Sequence, residues 1–376
     1  MTTSRYDGPK TATPEQLDDA IALANRVFRS KGGDMRTDYP LLYHPDRTGQ
    51  LHIFTSGGKP VSLVGMVVSD VTLCGCSTRV ACIGSVCTDP EHRGQGLAGR
   101  LVSHAADTAR DRGVPVMLIS GGRTLYQRRG ATDAGIFTQL TAGLNVFPAL
   151  GADASIAPAT EADCEEALRL FEGEPARFRR TLEDYTVLAT RVRETFLARR
   201  SGELVAAVSL ARPHRGTVRV IELAGSRPSA LAAARTVAAE WGAENLNLRG
   251  YPWDRALWDA CARCGIEPAL RTFRGTVKLL DAERLWQDLQ PLLAERIGAR
   301  EAASIEVEAK ADELKIHTVV FRRGRDKVAL RGPQKLTATL FGHPSRNPLG
   351  RFSKPLAQTL RRALPSPLAM YGLNYV

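Results

Sequence analysis

Long apolar runs are missing from this sequence, and so is a regular cysteine pattern. No run approaches the roughly 18 apolar residues that a membrane-spanning helix needs. The N-terminal MTTSRYDGPKTATPEQ has neither the apolar core nor the cleavage pattern of a signal peptide. The seven cysteines are an odd number without regular spacing, which argues against a disulfide framework. These absences predict a cytoplasmic protein that does not associate with membranes.

Metal-site and nucleic-acid motifs are missing as well. Cys261 and Cys264 form one CxxC in a helix-like stretch, and a zinc site of that kind normally needs a second pair. The histidines show no metal-ligand spacing. The formal net charge is +11, but the basic residues are scattered and no helix-turn-helix, zinc-finger or RNA-binding motif is present. We therefore expect no metal and no nucleic acid; a basic surface favours an anionic small molecule equally well.

The length of 376 residues exceeds one ordinary domain and predicts two or three. Up to residue 145 the pattern indicates a helix, antiparallel strands, a helix over Gly96–Arg112, a buried strand VPVMLIS, a short helix TLYQRRGA and a closing strand IFTQLTAGL. The first helix has Leu17, Ile21, Ala24 and Phe28 on its apolar side. This order predicts a mixed α/β domain over residues 1–150.

A second segment, 151–280, repeats this order and closes with RTFRGTVKLL. Within it, Arg227–Ala232 aligns with Arg93–Ala98 of the first segment. We interpret the repeat as an internal duplication; the alternative is chance similarity between two α/β units. A third segment, 281–376, combines helical and alternating strand patterns and ends in the apolar LAMYGLNYV.

The loop before the Gly96–Arg112 helix is the most informative local feature. A strand, a tight glycine-rich turn and a helix N-terminus together form an anion site, because backbone N–H groups and the helix dipole face the ligand. Glycines permit close approach to phosphate oxygens, and an arginine adds charge-assisted bonds. The run reads Arg93-Gly94-Gln95-Gly96-Leu97-Ala98.

Two other phosphate motifs fit this loop less well. A nucleoside-triphosphate loop needs Gly-Lys-Ser/Thr, which is absent. A dinucleotide GxGxxG is present literally as GQGLAG, ending at Gly99, but antiparallel strands precede it, whereas a dinucleotide fold places the motif near the start of a βαβ repeat. Glycine spacing by itself is weak evidence for either function.

The wider run SVCTDPEHRGQGLAGRLVSHA resembles the acetyl-CoA motif of the GNAT superfamily of N-acetyltransferases. That motif reads Arg/Gln-x-x-Gly-x-Gly/Ala after a strand and a turn, and Arg93, Gly96 and Ala98 fill its key positions. The resemblance covers residues 14–145 and implies acetyl-CoA as cosubstrate, bound by the Arg93–Ala98 loop. The second copy lacks this chemistry, since Pro228 has no N–H and Ala230 replaces a glycine.

Two GNAT-like units followed by a strand-and-helix segment resemble the Eis-like acetyltransferases. The resemblance implies a third domain with a sterol-carrier-like fold, although this chain's third segment is short for one. It also implies that the C-terminal carboxylate, here Val376, enters the first domain's active site, and that a homo-oligomer is common in such enzymes.

The family resemblance also assigns roles in acetyl transfer. The strand residues Val86, Cys87 and Thr88 are expected to pair with the extended arm of acetyl-CoA and to polarise its carbonyl. Tyr126 is expected to be the general acid, because a phenol of pKa about 10 can protonate a departing thiolate. Val376 is the candidate base that takes the proton of the amine. Tyr126 as a packing residue and Val376 as a buried tail end are the alternatives.

The leading prediction is therefore an acetyltransferase acting on a primary amine, which is a small molecule or a peptide or protein lysine. Asp34, Asp38 and Tyr39 could line the acceptor pocket, or belong to a solvated loop. Another acyl transfer is the alternative reaction. An alternative of a different class is a CoA-responsive binding or regulatory protein whose third domain carries an apolar ligand.

Overall fold

The computed structural model describes residues 5–149, 151–262, 265 and 268–375. These residues form two compact units. Unit 1 takes the described residues up to Gly135, then Phe273–Pro367 and Tyr375. Unit 2 takes the described residues of Ile136–Thr272 together with Leu368–Asn374.

The strands of both units are numbered here in chain order. They are β1 (Asp7–Thr11), β2 (Leu51–Ser56), β3 (Lys59–Leu73), β4 (Cys76–Thr88), β5 (Val116–Ile119), β6 (Phe137–Gly143), β7 (Ala154–Pro158), β8 (Ala176–Phe178), β9 (Glu194–Arg200), β10 (Glu203–His214), β11 (Thr217–Gly225), β12 (Asn245–Gly250), β13 (Ala269–Arg271), β14 (Thr276–Leu279), β15 (Glu306–Ala311), β16 (Ile316–Arg323) and β17 (Asp326–Arg331).

The α-helices are numbered in the same way. They are α1 (Leu17–Phe28), α2 (Met35–Asp38), α3 (Leu97–Asp111), α4 (Thr124–Gln127), α5 (Cys164–Glu172), α6 (Leu182–Val187), α7 (Arg227–Glu240), α8 (Arg255–Ala262), α9 (Ala282–Asp288), α10 (Gln290–Ile297), α11 (Ala299–Ala303), α12 (Pro333–Phe341) and α13 (Pro355–Ala363).

The main sheet of unit 1 has the order β1-β2-β3-β4-β5-β14. β4 and β5 are parallel, and the other neighbours are antiparallel. Successive side chains of a strand point to opposite faces, and β2 shows this: Ile53 packs with helix α1 on one face, while Phe54 packs with helix α3 on the other. The two helices therefore cover opposite faces of one sheet.

The sheet of unit 2 has the order β7-β9-β10-β11-β12-β6-β13. Its parallel pair is β11 with β12, and helix α7 packs on it through a cluster that includes Ala230, Leu231 and Val237. Counted from the β1 and β7 edges, both sheets have a parallel pair in the same place, followed by an antiparallel strand. This correspondence supports the duplication, which stays a proposal.

Two strands lie in a different sheet from the one expected. The 137–143 strand, expected to close the first domain, pairs with β12 in unit 2. The 276–279 strand, expected to close the second segment, pairs with β5 in unit 1. In each sheet, therefore, the strand next to the parallel pair comes from the segment that was predicted to form the other domain. Strand partners are chosen by tertiary pairing, which local pattern does not contain; the three-domain division itself stays a prediction.

The alignment of Arg93–Ala98 with Arg227–Ala232 is wrong in register. Gly96 is the N-cap of α3, whereas Ser226 is the N-cap of α7 and accepts a hydrogen bond from the Ser229 N–H. Arg227–Ala232 therefore lies wholly inside a helix. Serine at the N-cap and proline in the first turn are strong helix-start signals, and they begin α7 directly after β11.

The remainder of unit 1 is a small antiparallel sheet, β15-β16-β17, with helices α9 to α13. Trp286 of α9 packs edge-on against Phe321 of β16, with 5.4 Å between ring centroids. A sterol-carrier-like fold for this segment stays a prediction. The chain as a whole has the mixed α/β fold that the sequence predicts.

Candidate active site

A β-bulge lies near the end of strand β4. Gly65 of β3 pairs with Gly84 of β4, and Leu63 pairs with Cys87. Between these two pairs β3 advances by two residues and β4 by three, so β4 contains one extra residue. Ser85 lies within this bulge, and its φ of 51° is in the left-handed region. Pairing of β4 with β5 ends at Ile83, although β4 continues to Thr88. Such a bulge redirects the backbone of the following residues, which are the predicted cofactor-binding ones.

The glycine-rich loop joins β4 to helix α3. Asp89 accepts a hydrogen bond from the Glu91 N–H at 3.2 Å and from Arg26 at 2.8 Å, which holds the start of the loop. Gly94 and Gly96 have φ values of 78° and 72°, and a Cβ atom at either would meet nothing within 4 Å. Gly96 provides no side-chain cap, so the first-turn N–H groups of α3 are left to water or a ligand. The loop thus has the open backbone of an anion site.

A cavity of about 460 Å³ lies beside this loop. It is lined by Val27, Phe28, Val86, Cys87, Thr88, Arg93, Ala98, Arg123, Leu125 and Tyr126. The fold therefore gathers six of the predicted site residues around one space: the three of strand β4, two of the loop and helix start, and Tyr126. They come from three separate elements of unit 1.

The remaining predicted residues are placed differently. Gly94, Gln95 and Gly96 are exposed along the loop and do not line this cavity. The Leu97 side chain packs in the core with helix α3, so only its backbone is available to a ligand. Val376 lies outside the described residues.

Tyr126 is 6% exposed and lies on the short helix α4 after β5. Burial raises the pKa of its phenol above the ordinary value; Arg123 opposes this rise and Tyr375 adds to it. The phenol is therefore protonated at neutral pH, as a general acid must be.

Cys87 lines the cavity but is a poor nucleophile. Burial raises the pKa of its thiol to about 12, and only a thiolate attacks efficiently. Among the described lining residues there is also no carboxylate and no imidazole. The described lining residues thus include a protonated phenol, that of Tyr126, but neither a reactive thiolate nor a carboxylate or imidazole base.

The two acids considered for the acceptor pocket have structural partners. Asp34 caps α2 and accepts a hydrogen bond from Asn25 at 2.9 Å. Asp38 accepts from Nε of Arg29 at 2.6 Å. Neither lines the cavity, so their charges are used within the fold.

The penultimate residue of the chain belongs to unit 1. The rings of Tyr375 and Tyr39 lie 6.5 Å apart. Burial raises the pKa of Tyr39, and Tyr375 raises it further, as it does for Tyr126. The C-terminal end of the described chain therefore lies in the electrostatic neighbourhood of the candidate acid.

Sequence reasoning missed four lining residues: Val27, Phe28, Arg123 and Leu125. Phe28 was expected on the buried side of the first helix, but it is 38% exposed at the end of α1. A large apolar side chain at a helix end, beside a loop, is the signal that was available. Phe28 and Val27 give the cavity an apolar wall on the α1 side.

Residues 9–133 match the family model of the acetyltransferase (GNAT) domain. The match includes the loop and every lining residue of the cavity. GNAT enzymes are acyltransferases that use acetyl-CoA or another acyl-CoA, so the matched segment supports acyl transfer. No curated protein sequence matches the chain significantly.

Solved structures share the fold over nearly the whole length. A GCN5-related N-acetyltransferase from Kribbella flavida is 18% identical, covering 98% of this chain and 99% of that one at a TM-score of 0.64. A probable N-acyltransferase from Enterococcus faecalis V583 is 14% identical, covering 98% of both chains at 0.67. Eis1 from Mycobacterium abscessus is 14% identical, covering 96% and 98% at 0.62. At these identities the likeness concerns the fold.

None of the described helices combines the length and apolarity that crossing a membrane requires. No group of three or more His, Cys, Asp or Glu side chains in the described chain is arranged to hold a metal ion.

Proposed function

We propose that this chain transfers an acetyl group from acetyl-CoA to a primary amine by direct attack, with one acetyl-CoA bound per chain. The observation that carries the proposal is the cavity of about 460 Å³ that brings Arg93 of the glycine-rich loop and Tyr126 to one space. The acceptor is a small-molecule amine or the lysine of a peptide or protein.

The residues present fit acetyl-CoA. The exposed loop at Gly94 and Gly96, with its open backbone, suits the phosphates, and Arg93 adds a positive charge. Val86 and Thr88 line the adjoining cavity, where backbone groups of β4 can pair with an extended amide-containing arm. When bound there, the cosubstrate supplies a thioester whose acetyl group is open to attack by an amine.

Tyr126 is proposed as the general acid. Its buried phenol keeps the proton on Oη at neutral pH, from where it can be given to the departing sulfur. The neutral thiol of Cys87 argues for direct attack rather than an acyl-enzyme.

The base is proposed to be the C-terminal carboxylate of Val376. An amine arrives mostly protonated at neutral pH, and the described lining residues include no carboxylate or imidazole to take that proton. Tyr375, directly before Val376, acts on the pKa of Tyr126. This proximity supports a catalytic role for the C-terminal residues.

The proposal is tested first by binding and then by turnover. Acetyl-CoA should raise the melting temperature of the protein in a thermal-shift titration. Measuring thiol release from acetyl-CoA with a panel of amines should then identify the class of acceptor. Tyr126→Phe is expected to lower turnover by about 10²-fold while the KM for acetyl-CoA stays close to wild type. Binding without thiol release from any amine would contradict the enzyme and point to a CoA-responsive regulator.

The C-terminal base is tested by adding three glycines after Val376. The addition moves the free carboxylate away without changing any described residue, so turnover at pH 7 should fall while acetyl-CoA binding persists. A matched control adds three glycines before Met1. Full turnover in the C-terminally extended protein would exclude the carboxylate.

A further inference from the structure

Unit 2 contains a small cavity built from the same kinds of elements as the candidate active site. Strand β11, the start of α7 and the segment after β12 line it, just as β4, the start of α3 and the segment after β5 line the larger one. Both β4 and β11 are the first strand of a parallel pair. The unit 2 cavity is the smaller of the two, at about 70 Å³ against about 460 Å³.

The chain's own C-terminal segment fills part of the cleft. Met370 and Gly372 are among the lining residues. The Met370 N–H donates to Oη of Tyr251 at 3.1 Å, and the Leu373 N–H donates to Oε2 of Glu222 at 3.0 Å. Two backbone hydrogen bonds therefore hold this segment in the cleft.

The anchor of the segment is a buried ion pair. Arg180 donates two hydrogen bonds to Glu222, at 3.0 and 2.9 Å, and their side chains are 1% and 12% exposed. A third bond runs from Nε of Arg180 to Oδ1 of Asn374, at 2.7 Å. Because a buried pair is costly to break from one side, the carboxylate that holds Leu373 is itself held firmly.

The fit of the segment depends on a glycine. A Cβ atom at Gly372 would stand 2.6 Å from Oε2 of Glu222, and its φ of 50° is left-handed. The backbone therefore approaches the carboxylate more closely than a larger residue allows. The site formed by Glu222 and Arg180 therefore fits the segment around Gly372 closely.

We propose that the cleft of unit 2 holds the C-terminal segment 368–374 in place of a cofactor, and that Glu222 and Tyr251 are positioning residues that determine where the chain leaves the cleft at Asn374. Tyr375 and Val376 come next in the sequence, so retention of the segment restricts where the Val376 carboxylate can reach. The kinetic consequence rests on the proposed function, since it requires a C-terminal base; the retention itself does not.

The test compares Glu222→Gln with Glu174→Gln in the full chain. Glu174 lines the same cavity and accepts two hydrogen bonds from Arg227, at 2.7 and 2.6 Å, with 13% of its side chain exposed. The two substitutions thus remove equally buried charges, but only Glu222 bonds the segment. Tyr251→Phe is the milder second variant, because it removes one hydroxyl acceptor and keeps the ring.

Hydrogen exchange at the amides of Met370 and Leu373 reports retention directly. Exchange should accelerate at least about 10-fold at Leu373 in Glu222→Gln, because a neutral amide with a single acceptor oxygen replaces the carboxylate that binds both Arg180 and Leu373. It should accelerate as much at Met370 in Tyr251→Phe, because that amide loses its hydroxyl acceptor. In Glu174→Gln both amides should exchange as in wild type. Unchanged exchange in Glu222→Gln and Tyr251→Phe, or equal acceleration in Glu174→Gln, would overturn the retention.

Kinetics test the positioning role. In Glu222→Gln, kcat at pH 7 should fall about 10-fold with the KM for acetyl-CoA unchanged. The deficit should shrink towards pH 10, because the neutral fraction of an amine of pKa about 10.4 rises steeply over this range. Accelerated exchange with an unchanged kcat would overturn the positioning role. If the wild type acetylates no amine, the proposed function fails, and the exchange experiment still decides the retention.

Discussion

The ring of Tyr126 lies directly against Gly121: a Cβ atom at position 121 would stand 3.2 Å from Cε2 of the tyrosine. The backbone between β5 and α4 therefore comes as close to the candidate acid as a residue without a side chain permits. Gly121 does not have a left-handed φ, so its role is space rather than conformation.

Gly121→Ala should consequently displace the phenol without unfolding the protein. The methyl group would push the ring by a few tenths of an ångström, and such a misplacement at a reacting group is expected to lower kcat by about 10-fold. Gly122→Ala is the control, because a Cβ atom there meets nothing within 4 Å. The measurement is kcat for both variants by steady-state kinetics. An equal fall in kcat at both positions would contradict displacement of the phenol and indicate an effect on the backbone instead.

Gly96→Ala should weaken acetyl-CoA binding beyond its effect on stability. The left-handed φ of 72° costs an alanine about 1 kcal/mol in unfolding free energy, and the methyl group intrudes on the proposed phosphate loop. Gly57→Ala carries a similar backbone cost, with a φ of 56° and no neighbour within 4 Å, in the turn between β2 and β3. A KM for acetyl-CoA raised about 10-fold only in Gly96→Ala is expected; equal KM values would remove the loop from the cofactor site.

Cys87→Ser should leave the chemistry intact. The buried thiol, with its pKa raised to about 12, is neutral at physiological pH, so turnover is expected to stay within about threefold of wild type. Cys82→Ser is the control, because Cys82 is also fully buried and the same replacement there changes the side-chain volume equally. Mass spectrometry after incubation with acetyl-CoA alone gives a second readout, and an acetyl group on Cys87 would contradict direct attack.

His52 should make unit 1 sensitive to acid. It lies on β2 with its ring 5.2 Å from that of His104, and neither ring nitrogen has a hydrogen-bond partner in the described structure. Burial, together with His104 and Arg112, lowers the pKa of His52 to about 4.

The pKa of His52 is lower in the folded protein than the unfolded value of about 6.5. The fold therefore keeps its full stability above pH 6.5 and loses stability as the pH falls towards 4, because the unfolded chain takes up the proton first. The loss should reach about 3 kcal/mol in unfolding free energy. Urea titrations from pH 7 to 4 measure it. His52→Phe should remove most of the loss and exposed His317→Gln should not; a wild-type acid loss in His52→Phe would refute the role.

Local sequence signals predicted the parts of the site that depend on neighbouring residues. The Arg93–Ala98 loop, the helix that follows it and the position of Tyr126 after a buried strand are all read from short-range pattern, because caps, glycine turns and apolar periodicity act over a few residues. The structure places these elements around one cavity.

Longer-range relationships escaped the sequence for a physical reason. The aligned copies differ in where the helix starts, since Ser226 begins α7 four residues before the aligned position of Gly96. Asp34 and Asp38 look available in the chain but are used by Asn25 and Arg29. Which donor satisfies a carboxylate is settled by packing.

The sequence by itself determined the order of the main elements around the site and the glycine-rich loop before α3, since each rests on local propensity. Only the tertiary structure decided that 137–143 and 276–279 join sheets outside their own segments, and that residues 368–374 bind Glu222 and Tyr251. Strand edges and buried charges accept partners from any distance along the chain, so those choices depend on the whole fold.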